Sequence, residues 1–278
     1  MKKPFKIIAS IFFLTYIIGC GTNSKLPPKT ESAQTPVYLL KQISDTLFNS
    51  KQKISLLILP KELLNKSYSI QLAYNKTDLT KTSELAAKNN AVAAINGGFF
   101  NIDEGGSVTY FERNDTVIGK TRDPKLKWGV SDSIINGAII LSKKNKLKIE
   151  AKKTEAFYTK SKNEAFVLFT GPLLISNTKF QKLPKMKFSN KRHPRTCIGI
   201  SKNSIIFIAI DGRSKQADGM SLNEVQKYLH SLGCTDAINL DGGGSTTMWT
   251  KSNGIINSPS DKKGERPVAN ALLIKVCL

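Results

Sequence analysis

A stretch near the end of the chain, Asn239 to Met248, places a carboxylate directly before three glycines and three hydroxyl-bearing residues. The apolar residues from Ala237 predict a strand that delivers Asp241 to this turn. Because glycine adopts positive φ without steric cost, the chain can turn sharply there, and exposed N–H groups of such a turn can cradle an anion. The pattern therefore predicts a site at a strand end, with Asp241 as its carboxylate. The predicted binding groups of the same turn are Gly242, Gly243, Ser245 and Thr246.

An earlier unit of the chain is built from the same parts. An apolar run, Ala91 to Ile95, predicts a buried strand that leads into Asn96-Gly97-Gly98. Both units present Ala-Ile-Asn followed by a Gly-Gly turn. We therefore expect two strand ends of similar build that face one cleft.

A helix is predicted before each of these strands. Thr82 or Ser83 is the expected cap of the first helix, which ends after Lys88. The second helix starts with a capping box formed by Ser221 and Glu224, and a glycine ends it.

The fold class predicted from these elements is α+β, with a mixed, largely antiparallel β-sheet covered by a few helices. Short runs bounded by turn residues fill the middle of the chain, and Cys197 to Ser201 with Ser204 to Ile210 predict a hairpin. The lysine-rich segment Lys179 to Asn190 is expected to be a solvated loop. Residues 37–278 have no polar break and are predicted to form a single domain.

The first residues are typical of an export signal. A basic start is followed by the apolar segment Ile7 to Ile18, which is too short to span a bilayer. The segment ends in Ile-Ile-Gly-Cys, which resembles a lipobox, so residues 1–19 are predicted to be a lipoprotein signal and Cys20 the lipidated residue. Residues 20–36 are polar and predict a flexible tether. We expect an exported, membrane-anchored lipoprotein of the bacterial cell envelope.

The charge balance is strongly basic, with 42 Lys and Arg against 21 Asp and Glu and a net charge of +21. Nucleic acid is not the expected partner, because the lysines are scattered and no nucleic-acid-binding motif accompanies them. An exported basic protein meets other polyanions, such as phosphorylated glycans and anionic headgroups. The charge supports an acidic substrate or surface without choosing between them.

No cofactor is predicted, and metal binding is left open. Asn101, Asp103 and Glu104 offer oxygen ligands but match no calcium-loop pattern. The cysteines beyond Cys20 lie in or beside apolar runs and show no zinc spacing.

Cationic groups that suit phosphate lie beside other turns. Arg195, Arg213 and Arg266 each lie next to a proline or glycine turn, and Asp211 follows a predicted strand. The planar guanidinium forms two parallel charge-assisted hydrogen bonds and keeps its proton. A surface ion pair remains the alternative for any single arginine.

Six blocks, in order from about Ala91 to Val276, together resemble the phosphodiester glycosidase family. Cys197 departs from the pattern, because a small residue such as alanine is expected there. The blocks are Asn96 to Phe100, His193 to Thr196, Asp211 to Arg213, Gly219 to Glu224, Asn239 to Met248 and Glu265 to Asn270.

The resemblance implies hydrolysis of a sugar-1-phosphate diester, of the N-acetylglucosamine-1-phosphodiester kind, at the anomeric carbon. Asp241 is then the expected base or nucleophile and Asp211 the second carboxylate, while retention or inversion depends on their separation. The expected phosphate and substrate contacts are Arg195, Arg213, Arg266, Asn96, Gly97 and Gly98, besides the glycine turn. The expected substrate is a phosphorylated envelope glycan. The alternative is a non-catalytic lipoprotein that binds phosphorylated glycans or polyanions.

Overall fold

Three antiparallel β-sheets make up most of the computed structural model, which describes residues 38–277. The predicted signal, Cys20 and the tether lie outside the described residues. The described residues fall within one compact unit. Among them, no helix is long and apolar enough to cross a bilayer.

The described strands are β1 (Leu39–Leu47), β2 (Ser50–Pro60), β3 (Tyr68–Tyr74), β4 (Ala93–Asn96), β5 (Phe111–Arg113), β6 (Thr116–Gly119), β7 (Gly137–Ser142), β8 (Leu147–Ala151), β9 (Glu164–Thr170), β10 (Leu173–Ser176), β11 (Lys179–Phe180), β12 (Arg195–Ser201), β13 (Ser204–Ile210), β14 (Cys234–Asn239), β15 (Met248–Thr250), β16 (Gly254–Ile255) and β17 (Asn270–Val276). The described α-helices are α1 (Thr82–Lys88), α2 (Glu155–Ser161), α3 (Lys187–Asn190) and α4 (Leu222–Ser231).

The strand order of each sheet departs from sequence order. The first sheet runs β1-β2-β13-β12-β14-β10-β11, the second β16-β15-β4-β17-β3 and the third β6-β5-β9-β7-β8. The predicted hairpin is confirmed as β12 and β13, which pair antiparallel from Arg195 opposite Ile210. The expected α+β class with a largely antiparallel sheet is confirmed, but the strands are divided among three sheets rather than one.

A common apolar core lies between the three sheets. Leu57 and Phe207 contribute from the first sheet, Leu72 and Ile95 from the second, and Leu168 from the third. Burial of such side chains is the main favourable term in folding. The inner faces of the sheets therefore hold their strand ends in fixed relative positions.

Helices cover the outer faces. On the first sheet, α4 buries Val225 and Leu229 in a second apolar cluster. On the second sheet, α1 buries Leu85, and on the third sheet α2 buries Tyr158. The capping box of Ser221 and Glu224 is confirmed at the start of α4.

Two sequence predictions about local structure were wrong. Neither Thr82 nor Ser83 caps α1, because Glu265 from a distant loop accepts the Ser83 N–H at 2.8 Å and the Ser83 hydroxyl at 2.5 Å. The segment Lys179 to Asn190 is not a plain loop, since it contains β11 and α3. Its isolated apolar residue Phe188 packs against buried residues of two apolar clusters.

Gly199 in β12 allows α4 and β14 to pack closely on the first sheet. A Cβ atom added at Gly199 would stand 2.5 Å from Cys234 Sγ and 3.5 Å from Leu229 Cδ2. The absence of a side chain at Gly199 therefore leaves room for the Cys234 thiol.

We predict that Gly199→Ala lowers the free energy of unfolding by about 1–3 kcal/mol, because the new methyl group overpacks the site. The double variant Gly199→Ala/Cys234→Ala should recover much of this loss, since it removes the sulfur that the methyl meets. Urea denaturation measures both. The packing account would be contradicted if the double variant lost as much unfolding free energy as the two single variants lose together.

Candidate functional site

Two strand ends from different sheets meet at Asp241. The residue follows β14 of the first sheet, and its N–H donates to the carbonyl of Gly97, which follows β4 of the second sheet, at 3.0 Å. In return, the Asn96 Nδ2 donates to the Asp241 carbonyl at 2.7 Å. The prediction that these two similar turns come together is confirmed.

Asn96 is a buried crosslink rather than an exposed substrate contact. Its side chain has no solvent exposure. Its Oδ1 accepts hydrogen bonds from Thr196 Oγ1 at 2.7 Å and from the Thr247 N–H at 3.0 Å. The expectation that Asn96 lines the sugar side is therefore corrected, because its amide is used to hold the loop that carries Asp241.

Gly97 and Gly98 bring a third strand end to the same place. A Cβ atom at Gly97 would stand 1.9 Å from Asn270 Oδ1, so only glycine fits there. The Gly98 N–H donates to Asn270 Oδ1 and the Gly97 N–H to the Asn270 carbonyl, each at 2.9 Å. Sequence reasoning did not single out Asn270, although it closes the last of the six blocks. Its Nδ2 is buried without a hydrogen-bond partner among the described residues.

Two N–H groups of the glycine turn are not free for an anion. The Gly242 N–H donates to Asp241 Oδ1 at 2.9 Å, and the Gly243 N–H donates to the Pro194 carbonyl at 2.9 Å. Both donors are therefore engaged within the protein. The turn orients the Asp241 carboxylate instead.

The expected hydroxyl contacts lie below the turn. Ser245 and Thr246 have no solvent exposure, and the same is true of Thr247. Within the described part of the chain, the Thr246 and Thr247 hydroxyls have no hydrogen-bond partner. These residues form the floor beneath the turn rather than its open surface.

Two guanidinium groups lie against the glycine turn. A Cβ atom at Gly243 would stand 3.1 Å from Arg213 Nη2, and one at Gly244 would stand 2.3 Å from Arg266 Nη2. Arg266 is held from behind by Asp261, whose Oδ2 accepts from Arg266 Nε at 2.7 Å. A side chain at Gly244 would have to displace the Arg266 guanidinium, and one at Gly243 would crowd Arg213 in a backbone conformation with φ of 62° that favours glycine.

Arg213 is the more exposed of these two arginines. Its backbone has φ of 60°, and its Nη2 lies 3.4 Å from His193 Nδ1. Partial burial lowers the pKa of His193, and the positive charges of Arg195, Arg213 and Lys191 lower it further. A neutral imidazole can accept a hydrogen bond from Arg213. Local sequence does not predict this contact, because the two residues are 20 positions apart in the chain.

Burial raises the pKa of the Asp241 carboxyl to about 6. The Gly242 N–H and the Ser245 hydroxyl lower the pKa to a smaller extent. So do the positive charges of Arg266 and Arg213. The Ser245 hydroxyl lies close enough to have this effect but makes no hydrogen bond of good geometry with any described residue. Asp241 is thus ionised at neutral pH and a stronger base than an ordinary aspartate.

Arg195 does not share the surface of the other two arginines. It is 1% exposed, and its guanidinium donates to the carbonyls of Met220 at 2.9 Å, Phe188 at 2.6 Å and Lys191 at 3.1 Å. Burial lowers its pKa to about 10. The expectation that Arg195 binds phosphate is therefore corrected, because it ties α3 to the start of β12.

Asp211 is buried and supports a neighbouring loop. Its Oδ1 accepts from the Ser258 N–H at 2.9 Å and from Asn257 Nδ2 at 3.2 Å. Asn257 also donates to the Thr246 carbonyl at 3.0 Å and accepts from the Met248 N–H at 2.7 Å. Burial raises the pKa of Asp211, while these donors lower it. Asp211 therefore acts on the glycine turn through Asn257, which sequence reasoning missed.

The oxygen groups that left metal binding open are engaged with cations and donors. Glu104 accepts from Arg122 at 3.0 Å and from Asn101 at 2.7 Å, and Asp103 pairs with Lys127 at 2.6 Å. Among residues 38–277 no group of three or more His, Cys, Asp or Glu side chains is placed to hold a metal ion.

The arrangement brings one carboxylate and two guanidinium groups together at the strand ends, a place that we call the cleft. The guanidinium groups can hold an anion such as phosphate in a bidentate manner. The carboxylate can act as a base or as a nucleophile on an atom bound beside that anion.

Comparisons with known proteins give relatives with the same kind of domain. The SPbeta prophage-derived uncharacterized protein YomE of Bacillus subtilis is 37% identical over 86 residues, which cover 31% of this chain and 13% of that protein. Human N-acetylglucosamine-1-phosphodiester alpha-N-acetylglucosaminidase is 28% identical over 190 residues, covering 64% of this chain and 35% of that protein. The bovine enzyme of that name is 26% identical over 190 residues, covering 64% of this chain and 34% of that protein. The chain thus spans about a third of the two mammalian relatives.

Solved structures share the fold. The catalytic domain of zebrafish N-acetylglucosamine-1-phosphodiester alpha-N-acetylglucosaminidase, auto-inhibited by its pro-peptide, matches with a TM-score of 0.65 at 19% identity. The match covers 88% of this chain and 86% of that one. A hypothetical protein from Synechocystis matches with a TM-score of 0.56 at 16% identity, over 88% of this chain and 65% of that one.

A family model described as phosphodiester glycosidase matches residues 89–275, which include all six sequence blocks and the strand ends that form the cleft. The chain belongs to the phosphodiester glycosidase family.

Proposed function

We propose that the chain hydrolyses a diester in which phosphate joins the anomeric carbon of a sugar, of the N-acetylglucosamine-1-phosphodiester kind, to a second alcohol. The observation that carries the proposal is the Asp241 carboxylate, with its raised pKa, beside two guanidinium groups in one cleft. Family membership and the reaction in the names of the mammalian relatives support the same bond.

Arg213 and Arg266 hold the phosphate in this proposal. When the bond between the anomeric carbon and oxygen breaks, its electron pair leaves with the phosphate, which becomes a phosphomonoester dianion. Two guanidinium groups stabilise that added negative charge more strongly than the charge of the diester. The ion pair with Asp261 keeps Arg266 in place.

Asp241 supplies the other half of the chemistry. It removes a proton from the attacking water, or it attacks the anomeric carbon directly to form a covalent intermediate that water then hydrolyses. Either role requires the ionised carboxylate and stabilises the oxocarbenium-like centre. Asp211 is assigned a positioning role, because its carboxylate is bonded to Asn257 and Ser258.

We further propose that the protein is exported, carries a lipid on Cys20 and acts on a phosphorylated glycan of the cell envelope. The basic start, the apolar segment and the Ile-Ile-Gly-Cys motif support the anchor. The net charge of +21 supports an anionic substrate or surface.

We predict that Asp241→Asn lowers kcat/KM for N-acetylglucosamine-1-phospho-methylmannoside by about 10²- to 10⁴-fold, because the amide can neither accept a proton nor attack carbon. Release of the free sugar and the phosphomonoester is measured by chromatography. Asp123→Asn is the matched control, since Asp123 is an exposed loop residue whose carboxylate accepts from the Lys125 N–H of its own turn.

The unmodified protein must hydrolyse the diester for this test to succeed. Binding of the diester without release of sugar would favour the non-catalytic alternative. Equal activity of Asp241→Asn and Asp123→Asn would exclude Asp241 from the chemistry.

We predict that kcat/KM falls about tenfold per pH unit below pH 6, because protonation of Asp241, with its pKa of about 6, removes the reactive form. Arg266→Gln should move this acidic limb to higher pH, since the lost charge had lowered the pKa of Asp241. Arg266 is not among the groups that lower the pKa of His193. If the acidic limb reflected the His193 imidazole, Arg266→Gln should therefore leave it in place. An unmoved limb would argue against Asp241 as the titrating group.

We predict that Cys20→Ala abolishes lipidation, because the residue that would carry the lipid is lost. The protein should then either appear in the soluble fraction or keep its signal segment uncleaved. Cell fractionation and the intact mass of the mature protein measure this change. An unmodified N-terminus in the parent protein would contradict the anchor.

A further inference from the structure

A cluster of lysines lies at the end of the molecule opposite the site. β12 starts at Arg195, next to Pro194 under the glycine turn, and ends at Ser201. The seven residues of this strand span about 20 Å. We name the far end the lysine pole; it consists of loops 61–67, 143–146, 161–163 and 202–203 together with Lys148.

Hydrogen bonds join these loops into one surface. The Lys61 N–H donates to the Asn203 carbonyl at 2.8 Å, and the Lys143 N–H donates to the Asn163 carbonyl at 2.8 Å. The Asn65 side chain reaches the carbonyl of Asn145 at 3.5 Å. The lysine pole is therefore a single continuous feature, although its residues are far apart in sequence.

The lysine pole has a surplus of positive charge. Two neighbouring acidic side chains do little to offset this charge. Glu164 at the start of β9 is buried and accepts from Ser161, and Asp115 is paired with Lys143 at 2.7 Å. Glu62 is its remaining exposed acid. The exposed lysines of the pole that form no ion pair with any described residue are Lys66, Lys144, Lys146, Lys148, Lys162 and Lys202.

A pocket of about 350 Å³ opens within the lysine pole. Its apolar lining comes from Leu64, Leu147 and two isoleucines of the hairpin, and lysines stand around it. An apolar floor with a cationic rim suits a headgroup phosphate together with its first methylene groups. The lining lysines are Lys61, Lys146 and Lys148.

The described chain also begins at this pole. Leu39 pairs with Ile58, near the end of β2 that leads into loop 61–67. Tyr38 donates to the carbonyl of Val92, which precedes β4 at the end away from Asn96. Tyr38, the first described residue, therefore lies on the same side of the protein as the lysines.

We propose that the lysine pole binds the anionic phospholipid headgroups of the membrane and holds the catalytic cleft away from the bilayer. Positive charge near an anionic bilayer is attracted to it, and the attraction weakens with salt. The lysine charge, the pocket and the position of Tyr38 support this assignment, which rests on the proposed export to the membrane but not on the proposed hydrolysis.

The test uses the full chain reconstituted with vesicles of phosphatidylcholine, with or without phosphatidylglycerol, and measures hydrogen exchange of backbone amides. Loops 61–67 and 143–146 should exchange more slowly only on the anionic vesicles, and high salt should abolish the difference. Loop 258–264 at the cleft end should be unaffected. Equal exchange on both vesicle types would overturn the proposal.

Paired charge reversals locate the effect. Lys144→Glu/Lys146→Glu should abolish the protection, whereas Lys120→Glu/Lys227→Glu, which makes the same charge change at exposed positions outside the pole, should keep it. Both variants should hydrolyse a soluble diester as the parent does. If the two variants lose protection equally, or if soluble polyphosphate protects the loops better than vesicles, the headgroup assignment is wrong.

Discussion

The cleft depends on buried asparagine amides that join strand ends from different sheets. Where strands from two sheets end side by side, their last backbone groups lose water and must find partners inside the protein. Asn96 supplies a donor to the Asp241 carbonyl and an acceptor to the Thr247 N–H, and Asn270 accepts from the Gly98 N–H. An amide suits this position because it carries donor and acceptor in one rigid plane. These bonds fix Asp241 relative to the rest of the cleft.

Close packing at the same place explains why so many glycines and arginines occur together. A side chain at Gly243 or Gly244 would crowd the guanidinium groups of Arg213 and Arg266, which fill the adjoining space. The carboxylate of Asp241 therefore lies in an environment where burial and cationic charge act in opposite directions on its pKa. Burial dominates, so the carboxyl keeps a higher basicity than a solvated aspartate while still being ionised at neutral pH.

Strand direction separates two electrostatic surfaces. The turns that follow β14 and β4 and that precede β12 and β17 lie at the cleft end, whereas the opposite ends of these sheets carry the lysine pole. A protein with a net charge of +21 can thus concentrate cationic groups for two different anions. At the cleft the cations are few, fixed arginines; at the pole they are exposed lysines with long flexible stems, which suit a fluid and variable surface.

The sequence by itself determined the local elements and the order of the site blocks. The strand β4, the hairpin and α4 with its capping box follow from an apolar run, turn residues and caps, which act over a few residues. The six blocks predict Asp241, Arg213 and Arg266 as site residues, but they predict the buried Arg195 and Asn96 equally. Only the tertiary structure decided which side chains face the cleft. Arg195 and Thr196 are neighbours on β12 and point to opposite faces, and nothing local states which face is which. The division into three sheets, the buried roles of Arg195 and Asn96, and the support from Asn257 and Asn270 all depend on contacts between residues far apart in sequence, because strand pairing and burial are set by the whole fold.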